Sequence, residues 1–209
     1  MNNKPAPKPK YNASFMGGAL LFNEFRAVLP LLKEPSFKEL LEKEVKENLL
    51  LKINAQASRA RIANELRNRA GSVDREFWFY FEGLEEKEQR LALYYIILKT
   101  YPLLLNFHFE VVLKKWRTLD YHLEKFDLQM RLDEIVSQDA TVAGWTDNSR
   151  NKIISVFMTM LKDAGFLSRN QLRKPENISS SFWKFFVTAG DLWFLEACFV
   201  NKTEREAYL

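Results

Sequence analysis

Apolar side chains recur along this chain every three or four positions, the period of an α-helix, and strand-like alternation is rare. Residues 15–32 carry Phe15, Leu20, Leu21, Phe25, Val28 and Leu29 and run out near Pro30. Ser36 stands before a helix predicted over 37–50, and Glu39 follows at the spacing of a capping box. A helix over 57–70 stops at Gly71. Another, started by Thr146 and Asp147, covers 149–164 and stops at Gly165. Residues 86–98 and 103–115 form an apolar pair broken near Pro102, and 126–137 adds a further helix. Residues 77–81 and 180–200 are rich in aromatics. The predicted class is all-α, a compact helical protein.

A length of 209 residues allows one domain or two small ones. The pattern divides into a basic tail over 1–10, a helical part over 11–118 and a C-terminal part over 119–209. The tail MNNKPAPKPK, with Lys4, Lys8 and Lys10 among prolines, predicts disorder. No apolar signal core follows it, so a cytoplasmic protein is expected. The stretch over 91–113 is the best membrane candidate, but Lys99, Pro102, Asn106, His108 and Glu110 interrupt it. Two buried helices explain it better than a span.

Chemistry is sparse. The single Cys198 excludes an intramolecular disulfide framework and a cysteine-based zinc site. Only His108 and His122 are available for histidine chemistry. His108 lies in apolar LLLNFHFEVVL and is expected as a satisfied core residue, and Cys198 as packing. Gly17-Gly18 lacks the rest of a phosphate loop. Asp120 beside His122 lacks a nucleophile. The expectation is a protein that is not an enzyme, with no metal and no cofactor.

The chain's net charge is +4, and two segments each carry a local excess of the same size. Between Lys52 and Arg69, five basic residues face one acid, Glu65. On a helix, Ile62, Ala63, Leu66 and Ala70 cluster on one side, and Arg61, Asn64 and Asn68 on the other. Arg67 and Arg69 flank that polar face, with Arg59 at its start. Arginine neutralises phosphate and asparagine can read adenine, although a solvated face has the same composition. Between Thr146 and Lys174, six basic residues face two acids. Here Ile153, Ile154, Val156, Phe157, Met160, Leu161 and Ala164 would be buried. Asn148, Asn151, Lys152, Ser155, Thr159 and Lys162 would face out. The stop at Gly165 and the basic SRNQLRK after it have the layout of a winged helix-turn-helix with a short β-hairpin wing. A helical hairpin with a charged loop is the alternative. Candidate backbone contacts are Lys52, Arg59, Arg61, Arg67, Arg69, Arg150, Lys152, Arg169, Arg173 and Lys174, and candidate base contacts are Asn64, Asn68, Asn151 and Ser155.

Four stretches resemble the BrxA family of bacterial BREX phage-defence systems. They are YNASFMGGALLFNEF (11–25), ENLLLKINAQASRARIANELRNRA (47–70), the central segment over 86–123, and WTDNSRNKIISVFMTMLKDAGFL (145–167). The resemblance implies an all-helical, cytoplasmic defence component that binds double-stranded DNA and works beside other BREX components. It also implies similarity to the RNA-binding antitermination factor NusB, with RNA as an alternative partner. It carries over no catalytic residue. The closing segment SFWKFFVTAGDLWFLEACFV is expected to close the core, or else to dock on a partner as an adaptor surface.

Overall fold

The structure is a computed structural model that describes residues 10–208; the expected tail over 1–10 lies, but for Lys10, outside them. The chain opens with a 3-10 turn, Ser14–Gly17. Helices α1 (Phe22–Leu32), α2 (Phe37–Glu47), α3 (Gln56–Ala70) and α4 (Arg75–Glu82) follow. Then come α5 (Glu86–Thr100), α6 (Pro102–Phe107), a π-helical stretch (His108–Leu113) and α7 (Lys114–Arg117). Next are α8 (Lys125–Val136), α9 (Ala140–Ala143) and α10 (Asp147–Asp163). Strands β1 (Leu167–Ser168) and β2 (Gln171–Leu172) precede α11 (Ser180–Thr188), α12 (Leu192–Ala197) and α13 (Lys202–Glu206). The class is all-α, with one two-stranded antiparallel hairpin among the described residues.

The central pair holds the fold together. Leu91 to Leu98 are all buried, so the middle of α5 is enclosed on every side by other elements. Pro102 starts α6 where a missing N–H costs nothing, and the two arms meet at 108°. No single helix among the described residues is long and apolar enough to cross a membrane. Buried residues on both sides of position 119, from Tyr11 to Val200, belong to one hydrophobic cluster. The aromatic closing segment supplies Phe182, Trp183, Phe186, Phe194 and Phe199 to it. His108 is fully buried, with Nδ1 2.7 Å from the Tyr94 hydroxyl and Nε2 2.8 Å from the Ala197 carbonyl, and Cys198, the residue after Ala197 at the end of α12, is also buried.

Three local expectations change. The helix expected over 15–32 breaks between Gly17 and Phe22, because the carbonyls of Gly18, Ala19 and Leu20 are taken by Arg69 rather than by a helical ladder. Ser36 makes no side-chain cap, and the capping boxes form instead at Glu85 with Glu88, Glu124 with Asp127, and Asn201 with Glu204. The segment over 180–200 splits at Gly190, where the Asp191 N–H donates to the Phe186 carbonyl and reverses the chain.

Candidate nucleic-acid interface

The two basic segments meet different fates. In α3 the packed surface is wider than the apolar stripe. Arg59 is buried, its guanidinium donating to the carbonyls of Val45, Ile53 and Asn54. Arg69 is fully buried, bonded to Glu65 at 2.6 Å and to the carbonyls of Gly18 and Ala19 at 2.9 and 2.6 Å. These two arginines supply donors to loop carbonyls and to a carbonyl of the last turn of α2, so the expectation of phosphate contacts from them is corrected. Arg67 is engaged by Glu42 of α2 and by Asn64. Asn68 is exposed but donates to the Tyr101 hydroxyl at 3.0 Å. Tyr101 in turn donates to Glu65, and its own burial and the nearby Glu65 push its pKa up to about 12. Lys52 and Arg61 remain exposed, with no ion-pair partner among the described residues.

The second segment keeps four of its six cations, Lys152, Lys162, Arg169 and Arg173, exposed and without an ion-pair partner among the described residues. The Thr146 hydroxyl caps α10 by accepting from the Ser149 N–H at 3.2 Å. Ile153, Ile154, Phe157, Met158, Met160 and Leu161 are buried. Val156, expected in the buried face, is half-buried, whereas Met158, not expected there, is buried. Asn148, Asn151, Lys152, Thr159 and Lys162 are exposed and Ser155 is half-buried, all on one side of the helix. Arg150 turns away from that face. Its guanidinium donates to the Ala143 carbonyl at 2.9 Å and sits 3.8 Å from Asp147, which removes it from the outer set.

Beyond α10 the chain makes a Schellman stop. Gly165, with φ +85°, donates to the Lys162 carbonyl, and Phe166 donates to the Leu161 carbonyl. Leu167 then pairs with Leu172, and Ser168 with Gln171, leaving Arg169 and Asn170 as a two-residue tip. The sequence pattern gave no sign of a third edge, a single residue deep. The Leu172 N–H donates to the Tyr121 carbonyl at 2.7 Å and the Leu123 N–H to the Asn170 carbonyl at 2.8 Å, with His122 bridged to Gln171. The start of α8, with exposed Lys125, therefore lies beside the hairpin tip. Arg169 and Arg173 are exposed and unpaired among the described residues, whereas Lys174 is held by both oxygens of Glu204 at 2.5 and 2.6 Å. Hydrogen bonding by Lys174 is the main cause that holds the Glu204 carboxyl below its usual range.

The Asp120 and His122 side chains considered for acid–base chemistry are both engaged by neighbours. Asp120 pairs with Lys115 at 2.7 Å, and His122 lies between Glu124 and Gln171 at 3.0 and 3.1 Å. Among the described residues no three His, Cys, Asp or Glu side chains form a group able to hold a metal.

An all-α protein with a bound-in central helix pair and one helix-plus-hairpin face of free cations defines the class. The BrxA family model matches residues 9–181. The chain belongs to the BrxA family of BREX phage-defence systems. A BREX protein BrxA of Bacillus cereus (strain H3081.97) is 27% identical over 163 residues, 77% of this chain and 80% of that protein. The crystal structure of an uncharacterized protein from Magnetospirillum magneticum is similar with a TM-score of 0.74 at 19% identity. It covers 91% of this chain and 98% of that one, and at this identity the likeness concerns the fold.

Proposed function

We propose that this protein is a non-catalytic DNA-binding accessory component of a BREX bacteriophage-defence system. Its DNA surface is α10 and the hairpin, with the order of a winged helix-turn-helix: α8, the α9 turn, the outward helix, then the wing. One observation carries this reading. Lys152, Lys162, Arg169 and Arg173 are exposed on those two elements, and no carboxylate among the described residues pairs with them. Asn151 and Ser155 lie between the cations, where base edges would be met. Lys52 and Arg61 form a smaller, separate set.

Fluorescence anisotropy with a short duplex tests it. Affinity is expected to fall linearly on a log–log plot as salt rises, because phosphate contacts release counterions. A folded Lys152→Glu, Arg173→Glu double variant is expected to lose at least about tenfold in affinity at moderate salt. The matching Lys52→Glu, Arg61→Glu variant should lose less. Unchanged affinity in the first variant, or a preference for single-stranded RNA over duplex in competition, overturns the assignment.

A second reading as an adaptor has its own support. Trp183 is buried and Trp193 half-buried, so the closing aromatics offer little surface. Leu119, Tyr121, Phe126 and Met130 are instead exposed around the start of α8. Contact with another BREX component through that corner would be lost in a Phe126→Asp, Met130→Asp variant that still binds DNA.

A further inference from the structure

The hairpin tip is strained by its own sequence. Arg169 and Asn170 have φ of 48° and 63°, and Ser168 pairs directly with Gln171. Two central residues with positive φ are the pattern of a type I′ turn, for which asparagine and glycine are the favoured residues. Asn170 suits its place. Arg169 does not, since a Cβ beside the following carbonyl disfavours the left-handed region. Its side chain is exposed and makes no hydrogen bond or ion pair among the described residues that would repay the conformation. A long cation held where glycine would be easier, and used by nothing else in the fold, marks a place where strain serves a ligand.

We infer that Arg169 enters the minor groove of duplex DNA and makes binding favour A·T-rich sequence there. This rests on the DNA reading above and adds a groove and a preference to it. The minor groove is roughly 6 Å wide, too narrow for a helix but open to a two-residue tip bearing a single long side chain, whereas the major groove of roughly 12 Å accepts α10. A·T tracts narrow the minor groove further and deepen its negative potential, which attracts a guanidinium without any hydrogen bond to a particular base. The flanking residues are compatible with this. Ser168 and Gln171 carry no charge, Arg173 lies past β2, and the segment alongside the tip brings one carboxylate, Glu124, which is engaged by His122, together with the exposed cation Lys125.

The test uses the full chain and two duplexes of equal length and charge, one with a central A·T tract and one with G·C in its place. The A·T duplex is expected to bind roughly tenfold tighter, the size of one base-pair discrimination. Netropsin, which occupies the A·T minor groove, should abolish the difference. Arg169→Gly relaxes the turn, so the variant folds, and it should bind both duplexes alike while retaining most of its salt dependence. Arg169→Lys should weaken the preference while keeping the charge. Equal binding of the two duplexes by the parent chain, or an undiminished preference in Arg169→Gly, overturns the inference and leaves the DNA reading standing. No binding to either duplex at low salt overturns both.

Discussion

The Arg69 guanidinium reaches back one helical turn to Glu65, Nε to Oε1 at 2.6 Å, and both side chains are sealed from solvent. The same guanidinium holds the carbonyls of Gly18, Ala19 and Leu20, some fifty residues away in sequence, and so fastens the opening segment to α3. Truncating it leaves a buried carboxylate without its cation and three carbonyls without a donor. Arg69→Ala is expected to lose about 3–5 kcal/mol in urea unfolding. A loss no larger than the roughly 1 kcal/mol of an exposed pair would show that the network contributes little.

His108 gives the fold a pH dependence. Burial lowers its pKa from 6.5 to about 4, against a smaller upward pull from the bond to Ala197. The folded ring is therefore neutral, donating through Nε2 to the Ala197 carbonyl and accepting from Tyr94 at Nδ1. The unfolded chain takes up its proton as pH falls through 6.5, the folded chain only near 4. This contribution is complete above 6.5, falls between the two values, and amounts to a loss of about 3 kcal/mol below the lower one. Urea midpoints across that window should drop less steeply in His108→Phe than in the parent. Parallel slopes would exclude His108 as the cause.

Two glycines on either side of α10 make a matched comparison. Gly165 has φ +85° and open space where a Cβ would stand, so Gly165→Ala pays only in backbone conformation, about 1–2 kcal/mol. Gly144 has an ordinary φ of −74°, and a Cβ there would meet the Thr141 carbonyl oxygen at 3.5 Å. Gly144→Ala should be neutral or stabilising by up to about 1 kcal/mol. Thermal unfolding of both variants checks the difference, and equal shifts would contradict the Schellman assignment.

The Lys174–Glu204 pair withholds one cation from the hairpin's base. Glu204→Gln removes the acid while keeping the side chain's size. The proposed DNA site then gains a free lysine, and the slope of log affinity against log salt should steepen by about one. A half-exposed pair contributes little to folding, so the variant should unfold within about 1 kcal/mol of the parent. An unaltered slope would place Lys174 outside the DNA track.

The helical architecture was legible from periodicity. The break at Pro102, the outward face of α10 and the glycine stop at Gly165 all stand where the pattern puts them. The third edge of the hairpin was not, because Tyr121 to Leu123 join it through backbone groups and leave no alternation to detect. The true start of α1 was also hidden, since it depends on the carbonyls of residues 18–20 being captured by Arg69 of α3.

The sequence alone determined where helices form and which side of each is greasy, because both follow from neighbours three and four positions away. Only the tertiary structure decided which arginines and lysines stay free. Arg69 goes inward because irregular backbone some fifty residues away needs its donors, Arg59 because the last turn of α2 and the loop after it need them, and Arg67 and Lys174 are claimed by Glu42 and Glu204 from other helices. A helical pattern shows how a side chain is placed around its own axis. What is packed against that side, and whether it carries a carboxylate or an unpaired carbonyl, is settled by the path of the rest of the chain.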